Sequence, residues 1–135
     1  MEYQFSGVFV FKKRVYVTYE ERVGGPRVML SAKEMPPPLS AAALGAEVEK
    51  ALGEFQDKGR VIYADEWETL NQRLLKSFGE KSVSAFERKK KEVTVRRATD
   101  TGRVALIGPK DKEIELDHPT VEELGQAIMG LLGLQ

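Results

Sequence analysis

Tyr3-Gln4-Phe5-Ser6-Gly7-Val8-Phe9-Val10-Phe11 opens the chain with aromatic rings at odd positions only: Tyr3, Phe5, Phe9 and Phe11. Successive side chains of a strand project to opposite faces, so this spacing predicts a strand with one aromatic face. A basic turn at Lys12-Lys13 leads into Arg14-Val15-Tyr16-Val17-Thr18-Tyr19, whose β-branched and aromatic residues suit a second strand. Gly24-Gly25-Pro26 is a further turn signal, and Val28-Met29-Leu30 reads as a short third strand. The three form an antiparallel meander.

Met35-Pro36-Pro37-Pro38 then acts as a stiff connector, since proline continues neither a helix nor a central strand. Ser40 caps a first helix, with Leu39 and Leu44 at the staple positions and Leu44, Val48, Ala51, Leu52 and Phe55 along one stripe. Val61-Ile62-Tyr63 is short enough for an added strand. A second helix opens at Asp65, with Glu68 as capping partner, an inward stripe of Trp67, Leu70, Leu74 and Phe78, and Gly79 as its stop. Strands are expected at Ser82–Phe86, Glu92–Arg97, Val104–Ile107 and Lys112–Asp117. Thr120 and Glu123 cap a last helix that buries Leu124, Ala127, Ile128, Leu131 and Leu132. The expected fold is α+β: one domain over residues 1–135, an antiparallel sheet of about six or seven strands, and three helices packed mainly on one face.

The first and last helices echo each other. Leu44-Gly45 and Leu124-Gly125 each place glycine in an opening turn, followed by Ala51-Leu52-Gly53 and Leu131-Leu132-Gly133. Helical glycine costs about 1 kcal/mol relative to alanine. That cost is reasonable where glycine admits a neighbouring backbone.

Composition narrows the chemistry. Hydrophobic residues are 41% and charged residues 31% of 135, as in an ordinary globular protein. There is no cysteine, so disulfides and thiolate metal sites are excluded. Residues 1–20 lack the pattern of a signal peptide, and no apolar run is long enough for a membrane span, so the expected compartment is the cytoplasm. His118 is the sole histidine, placed before Pro119, with no positioned nucleophile in view. One histidine does not make a zinc site, and Gly24-Gly25-Pro26 lacks the residues of a phosphate-cradling loop. The expectation is no catalytic residue, no metal and no cofactor. A carboxylate-based enzyme is the remotest of the alternatives.

Two charged features stand out. Arg88-Lys89-Lys90-Lys91, followed by Arg96, Arg97 and Arg103, would grip phosphates in a small nucleic-acid-binding module, or simply form a hairpin tip with solvated flanks. Asp111, Glu113, Glu115 and Asp117 recur at period two around Ile114 and Leu116, which aligns the carboxylates on one strand face. That row either attracts a basic partner or is the wet face of the sheet, opposite basic residues on the next strand. Net charge is zero, from 21 basic and 21 acidic residues, which speaks against a dedicated nucleic-acid binder.

Over residues 39–133 the chain resembles the immunity proteins of bacterial contact-dependent growth inhibition. The resemblance lies in Leu44-Gly45 through Ala51-Leu52, the Trp67 helix through Leu74, Lys81-Ser82-Val83, the acidic closing strand and Thr120-Val121-Glu122-Glu123-Leu124-Gly125. Val121 stands where that family usually has proline at the first helical position, a favoured but not required residue. The resemblance implies a cytosolic antitoxin that occludes the active site of a toxin domain, frequently a nuclease, carried at the C-terminal end of a secreted protein. It carries over no toxin-contact residue. Because nucleases present basic clefts, the expected counter-surface is Asp111, Glu113, Glu115 and Asp117, with Glu20 and Glu21 as weaker candidates. No membrane partner and no direct nucleic-acid partner is expected, and unpaired strand edges would allow a weak homodimer.

Overall fold

The computed structural model describes residues 2–22, 27–57 and 63–134. The turn expected at Gly24-Gly25-Pro26 and the strand residues Val61 and Ile62 lie outside the described residues. In chain order the elements are β1 (Tyr3–Phe11), β2 (Arg14–Arg22), β3 (Arg27–Met35), α1 (Ala41–Glu54), β4 (Gln56–Asp57), α2 (Ala64–Phe78), α3 (Val83–Lys89), β5 (Lys91–Ala98), β6 (Arg103–Ile107), a 3-10 turn (Pro109–Asp111), β7 (Glu113–Asp117) and α4 (Val121–Leu132). The main sheet is antiparallel in the order β3-β2-β1-β5-β6-β7, and β4 adds a short parallel pairing to β2. Two meanders therefore join along β1 and β5, where Tyr3 pairs with Ala98 and Val10 with Lys91. Lys12 and Lys13, with φ of 51° and 66°, make the two-residue left-handed turn that matches hairpin twist.

The alternation in β1 feeds two separate cores. Val8 and Val10 face an aliphatic layer with Val17, Val93, Val95, Val104 and Leu106, covered by Leu44, Val48 and Leu52 of α1 and Leu124, Ile128 and Leu132 of α4. Phe9 and Phe11 face the other way, into a cluster with Phe86 of α3, Tyr16 of β2, and Leu74 and Phe78 of α2. Phe9 stacks on Tyr16 at 5.0 Å, and Phe78 lies 5.0 Å from Phe86.

Among the described residues four α-helices are thus divided between the faces, where three mainly on one face are expected. The difference comes from Ser82–Phe86. Ser82 accepts a hydrogen bond from the Ala85 amide at 3.1 Å and caps α3, and the cap overrides the strand-like spacing. The basic run Arg88 to Lys91 accordingly ends a helix rather than tipping a hairpin. The capping partner of α2 also shifts: Tyr63 is the N-cap and Glu66 reaches back to its amide, two residues before the expected Glu68. Gly79 ends α2 at φ 67° as expected. No residue of α2 is fully buried, so Trp67 does not sit on a buried stripe.

The paired glycines do what their cost suggests. A Cβ on Gly45 would lie 1.7 Å from the Val121 carbonyl oxygen, and one on Gly125 would lie 1.8 Å from that of Ala41. Each helix thus presses its glycine against the first turn of the other. Helix α1 is also tied to the sheet by Glu47, which accepts from the Lys33 ammonium at 2.8 Å and from the Tyr19 phenol. Burial, then the Glu47 carboxylate, push the Tyr19 phenol above its ordinary value. Burial alone would raise Glu47, but the bonds from Lys33 and Tyr19 carry it below the usual carboxylate value.

Candidate interaction surface

Helices α2 and α3 rest on the β1–β3 half of the aromatic face. On the β5–β7 half, Arg103, Glu113, Glu115 and Asp117 stand exposed. Edge strand β7 builds part of this surface: Ile114 and Leu116 pack against the aliphatic core while the three intervening carboxylates face solvent. Asp111 departs from the row. It lies in the 3-10 turn at φ 58°, because Pro109 opens that turn and the Gly108 amide closes it onto the Lys112 carbonyl at 2.8 Å. The strand begins only at Glu113, so three of the four carboxylates are aligned.

The row is also partly answered by its neighbour. Arg103 of β6 sits opposite Asp117 in register and reaches Glu115 at 3.6 Å, both side chains being more than half exposed. An ion pair this exposed contributes little to stability. Beyond Asp117, the His118 Nδ1 lies 2.8 Å from the Asp117 carboxylate, and both side chains are largely exposed. The His118 ring occupies the space beside Gly102, where a Cβ would come within 2.6 Å of Nε2.

Glu20 and Glu21 are not part of this exposed surface. Glu20 accepts from the Thr18 hydroxyl at 2.5 Å and from Arg27 at 3.0 Å, with its side chain only 10% exposed. Burial pushes its carboxyl up, and the Thr18 and Arg27 contacts do not cancel the rise. Glu21 is 6% exposed. Both follow the point where the pairing of β2 with β3 shifts, Tyr19 lying opposite Ser31 and Glu20 opposite Met29, so that Leu30 of β3 is the extra residue.

The basic segment does not gather into one patch. Lys89 pairs with Glu80 at 2.9 Å, Lys90 with Glu87 and Glu92 at 3.2 Å each, and Lys91 donates to the Leu132 carbonyl at 2.9 Å. Arg97 binds Glu49 at 2.5 Å and Gln4 at 2.7 Å on the α1 side of the sheet, whereas Arg96 and Arg103 emerge on the opposite side. Their charge is spread over several surfaces.

Sequence reasoning misses one feature here. The Arg96 guanidinium lies over the Tyr3 ring, 5.0 Å from its centroid, and among the described residues it contacts no carboxylate. A shallow cavity of about 210 Å³ adjoins this stack, lined in part by Thr101, Arg103, Ala105 and Glu115. Only the pairing of β1 with β5 brings residues 3 and 96 together, and no local spacing signals it. Elsewhere, cavities of about 260 and 300 Å³ run between β3 and α2, sharing Leu30, Leu70 and Arg73. Among the described residues no group of three or more His, Asp or Glu is placed to hold a metal, and no helix is long and apolar enough to cross a membrane.

The architecture, a seven-stranded sheet with helices on both faces, is that of known bacterial proteins. The chain shares its fold with a chain of the CdiA-CT/CdiI toxin and immunity complex from Yersinia pseudotuberculosis, at a TM-score of 0.70 and 12% identity over 98% of this chain and 97% of that one. It is similar also to a protein of unknown function from Neisseria meningitidis, at a TM-score of 0.69 and 14% identity over 97% of this chain and 93% of the other. The fold implied by the sequence resemblance is therefore the fold observed. No known family profile matches the sequence, and no curated protein does.

Proposed function

We propose that this chain is a noncatalytic immunity protein of contact-dependent growth inhibition, which binds and neutralises a cognate toxin domain. The observation that carries this reading is the likeness of its whole length to a chain of a toxin and immunity complex. Two of the segments that suggest the family in the sequence meet at the Gly45 and Gly125 crossing of α1 and α4. The toxin is a nuclease, and its active site is blocked in the cytoplasm. Glu113, Glu115 and Asp117 supply the negative rim that meets its basic cleft, because opposite potentials steer encounter and fix orientation. Asp111 borders that rim from the adjoining turn. The dispersed cations of residues 88–103 give the alternative of a nucleic-acid-binding module no comparable support.

The test is protection. Toxin domains encoded beside the gene for this chain are sought and expressed in cells with and without this protein, growth is followed, and the purified pair is examined for a stable complex. Restored growth together with a complex of both chains is the expected result. Unabated toxicity alongside well-folded, abundant protein would remove this reading.

A further inference from the structure

We propose that Arg96, seated on Tyr3 in the uncovered half of the sheet, is an anchor that recognises a carboxylate presented by the toxin. This rests on the immunity reading above and adds the chemistry at the centre of the contact. An arginine that carries no ion pair among the described residues offers its fork of N–H donors to a partner, and the planar carboxylate matches that fork with two parallel bonds. The stack on Tyr3, 5.0 Å from the ring centroid, holds the guanidinium in place before binding, so less side-chain freedom is lost on association. The acids nearest in the sheet are already engaged: Glu115 with Arg103 at 3.6 Å, and Glu92 with Lys90 at 3.2 Å.

The surroundings decide the partner's chemistry. Arg96 lies opposite Ala105, which is 6% exposed and flat, and the carboxylates of β7 lie beyond it. A nucleic-acid backbone laid on this half of the sheet would meet Glu113, Glu115 and Asp117 as like charges. A protein surface with an acidic side chain flanked by basic ones satisfies both the arginine and the row. A nuclease active site with acidic groups inside a basic cleft has this pattern.

The experiment compares wild type with Arg96→Ala and Arg96→Lys, using the toxin domain against which the protein protects. Arg96→Ala is expected to weaken binding by about 30-fold, the size of loss that marks an interface hot spot. Arg96→Lys should recover little, since a point charge neither forks nor stacks as a guanidinium does. Thermal unfolding should be nearly unchanged in both. Wild-type binding with Arg96→Ala within about two-fold would overturn the anchor and leave the immunity reading intact. No binding by wild type would instead be the failure of the immunity reading.

A second measurement uses no toxin. The Arg96 side-chain Nε–Hε resonance is followed while a hexaglutamate peptide is added at about 0.15 M salt, with hexathymidylate in a parallel titration. Movement of that resonance by the peptide, absent from Arg96→Ala, supports a carboxylate site. Tighter binding by the oligonucleotide at the same resonance would reassign the surface to phosphate. A wild-type dimer in ultracentrifugation that Arg96→Ala dissolves would reassign it to a second copy. Either result overturns the proposal.

Discussion

The two faces of the sheet are covered in different ways. Under α1 and α4 the layer is aliphatic, and Gly45 and Gly125 let the helices meet backbone to backbone. Under α2 and α3 the layer is aromatic, reaches only half of the sheet, and leaves every residue of α2 incompletely buried. The backbone contact of α1 with α4 makes the first face a fixed support, since interiors at crystal-like density tolerate little change. Its cavity of about 400 Å³ lies at the margin, beside Val15, Met35, Leu39 and Leu134. The second face keeps cavities beside α2 and an open, charged area over β5–β7. Binding surfaces belong to such areas, carried on a rigid frame.

This contrast is tested most severely at the helix crossing. Gly45→Ala or Gly125→Ala forces a methyl carbon to within 1.7 or 1.8 Å of a carbonyl oxygen, so the helices must separate. Each substitution should cost more than about 3 kcal/mol in urea unfolding, at the upper end of overpacking effects. A loss near zero would mean that α1 and α4 are not held against each other. On the other face, Phe86→Ala should cost about 3–5 kcal/mol, because Phe86 is 2% exposed among Phe9, Phe11 and Phe78. Trp67→Ala should cost only about 1 kcal/mol, the middle of ordinary substitutions. Equal losses at Phe86 and Trp67 would show that α2 is anchored along its whole length.

The same contrast separates what sequence could say from what it could not. The Thr120 cap, the Leu124-to-Leu132 face and the strand pattern of β1 are local signals, and each was legible because cap and periodicity act within a few residues. Ser82–Phe86 misleads for a local reason too: apolar alternation and a serine cap compete in the same five residues, and the cap prevails. Trp67 misleads because amphipathic spacing gives the orientation of a helix but not how closely it packs. At the candidate surface, the alternation of Glu113, Glu115 and Asp117 was visible, whereas the burial of Glu20 and Glu21 comes from packing between elements that no local spacing signals. The Tyr3–Arg96 stack joins residues far apart in the chain, so it appears only once β1 and β5 are paired.

A smaller effect is expected from pH. Burial raises the Glu20 carboxyl in the fold above its ordinary value of 4.5. The folded state therefore favours the protonated form. That contribution is complete below the unfolded value and is lost as pH rises through the raised folded value. Glu20→Gln, which keeps an acceptor for Thr18 and Arg27, should be more stable than wild type near pH 7 and close to it near pH 4 in urea unfolding. Glu47 acts in the opposite sense: its lowered value supports the fold above 4.5 and that support is lost in acid as pH falls through the folded value. A Glu20→Gln protein that is less stable than wild type by the same margin at both values would contradict the assignment of burial as the dominant influence on Glu20.

The least effect on stability is expected where the proposed effect on function is clearest. Glu113 and Glu115 are exposed on an edge strand, and the one described ion pair between them and the rest of the sheet is Arg103–Glu115 at 3.6 Å. Replacing both with glutamine keeps shape and hydrogen bonding and leaves Ile114 and Leu116 in the core, so unfolding should move by less than about 0.5 kcal/mol. The charge removed is long-ranged, however, and acts before contact. Association with the toxin should slow at low salt, and its salt dependence should flatten, because rim charges govern encounter more than the bound complex. Dissociation should accelerate only if these side chains are desolvated in the complex, where loss of one partner costs about 2–5 kcal/mol. Stopped-flow association at two ionic strengths, with thermal unfolding alongside, separates these effects. Unchanged kinetics in a stable double variant would reduce the row to the wet edge of a sheet, and would place the recognition elsewhere on the open face.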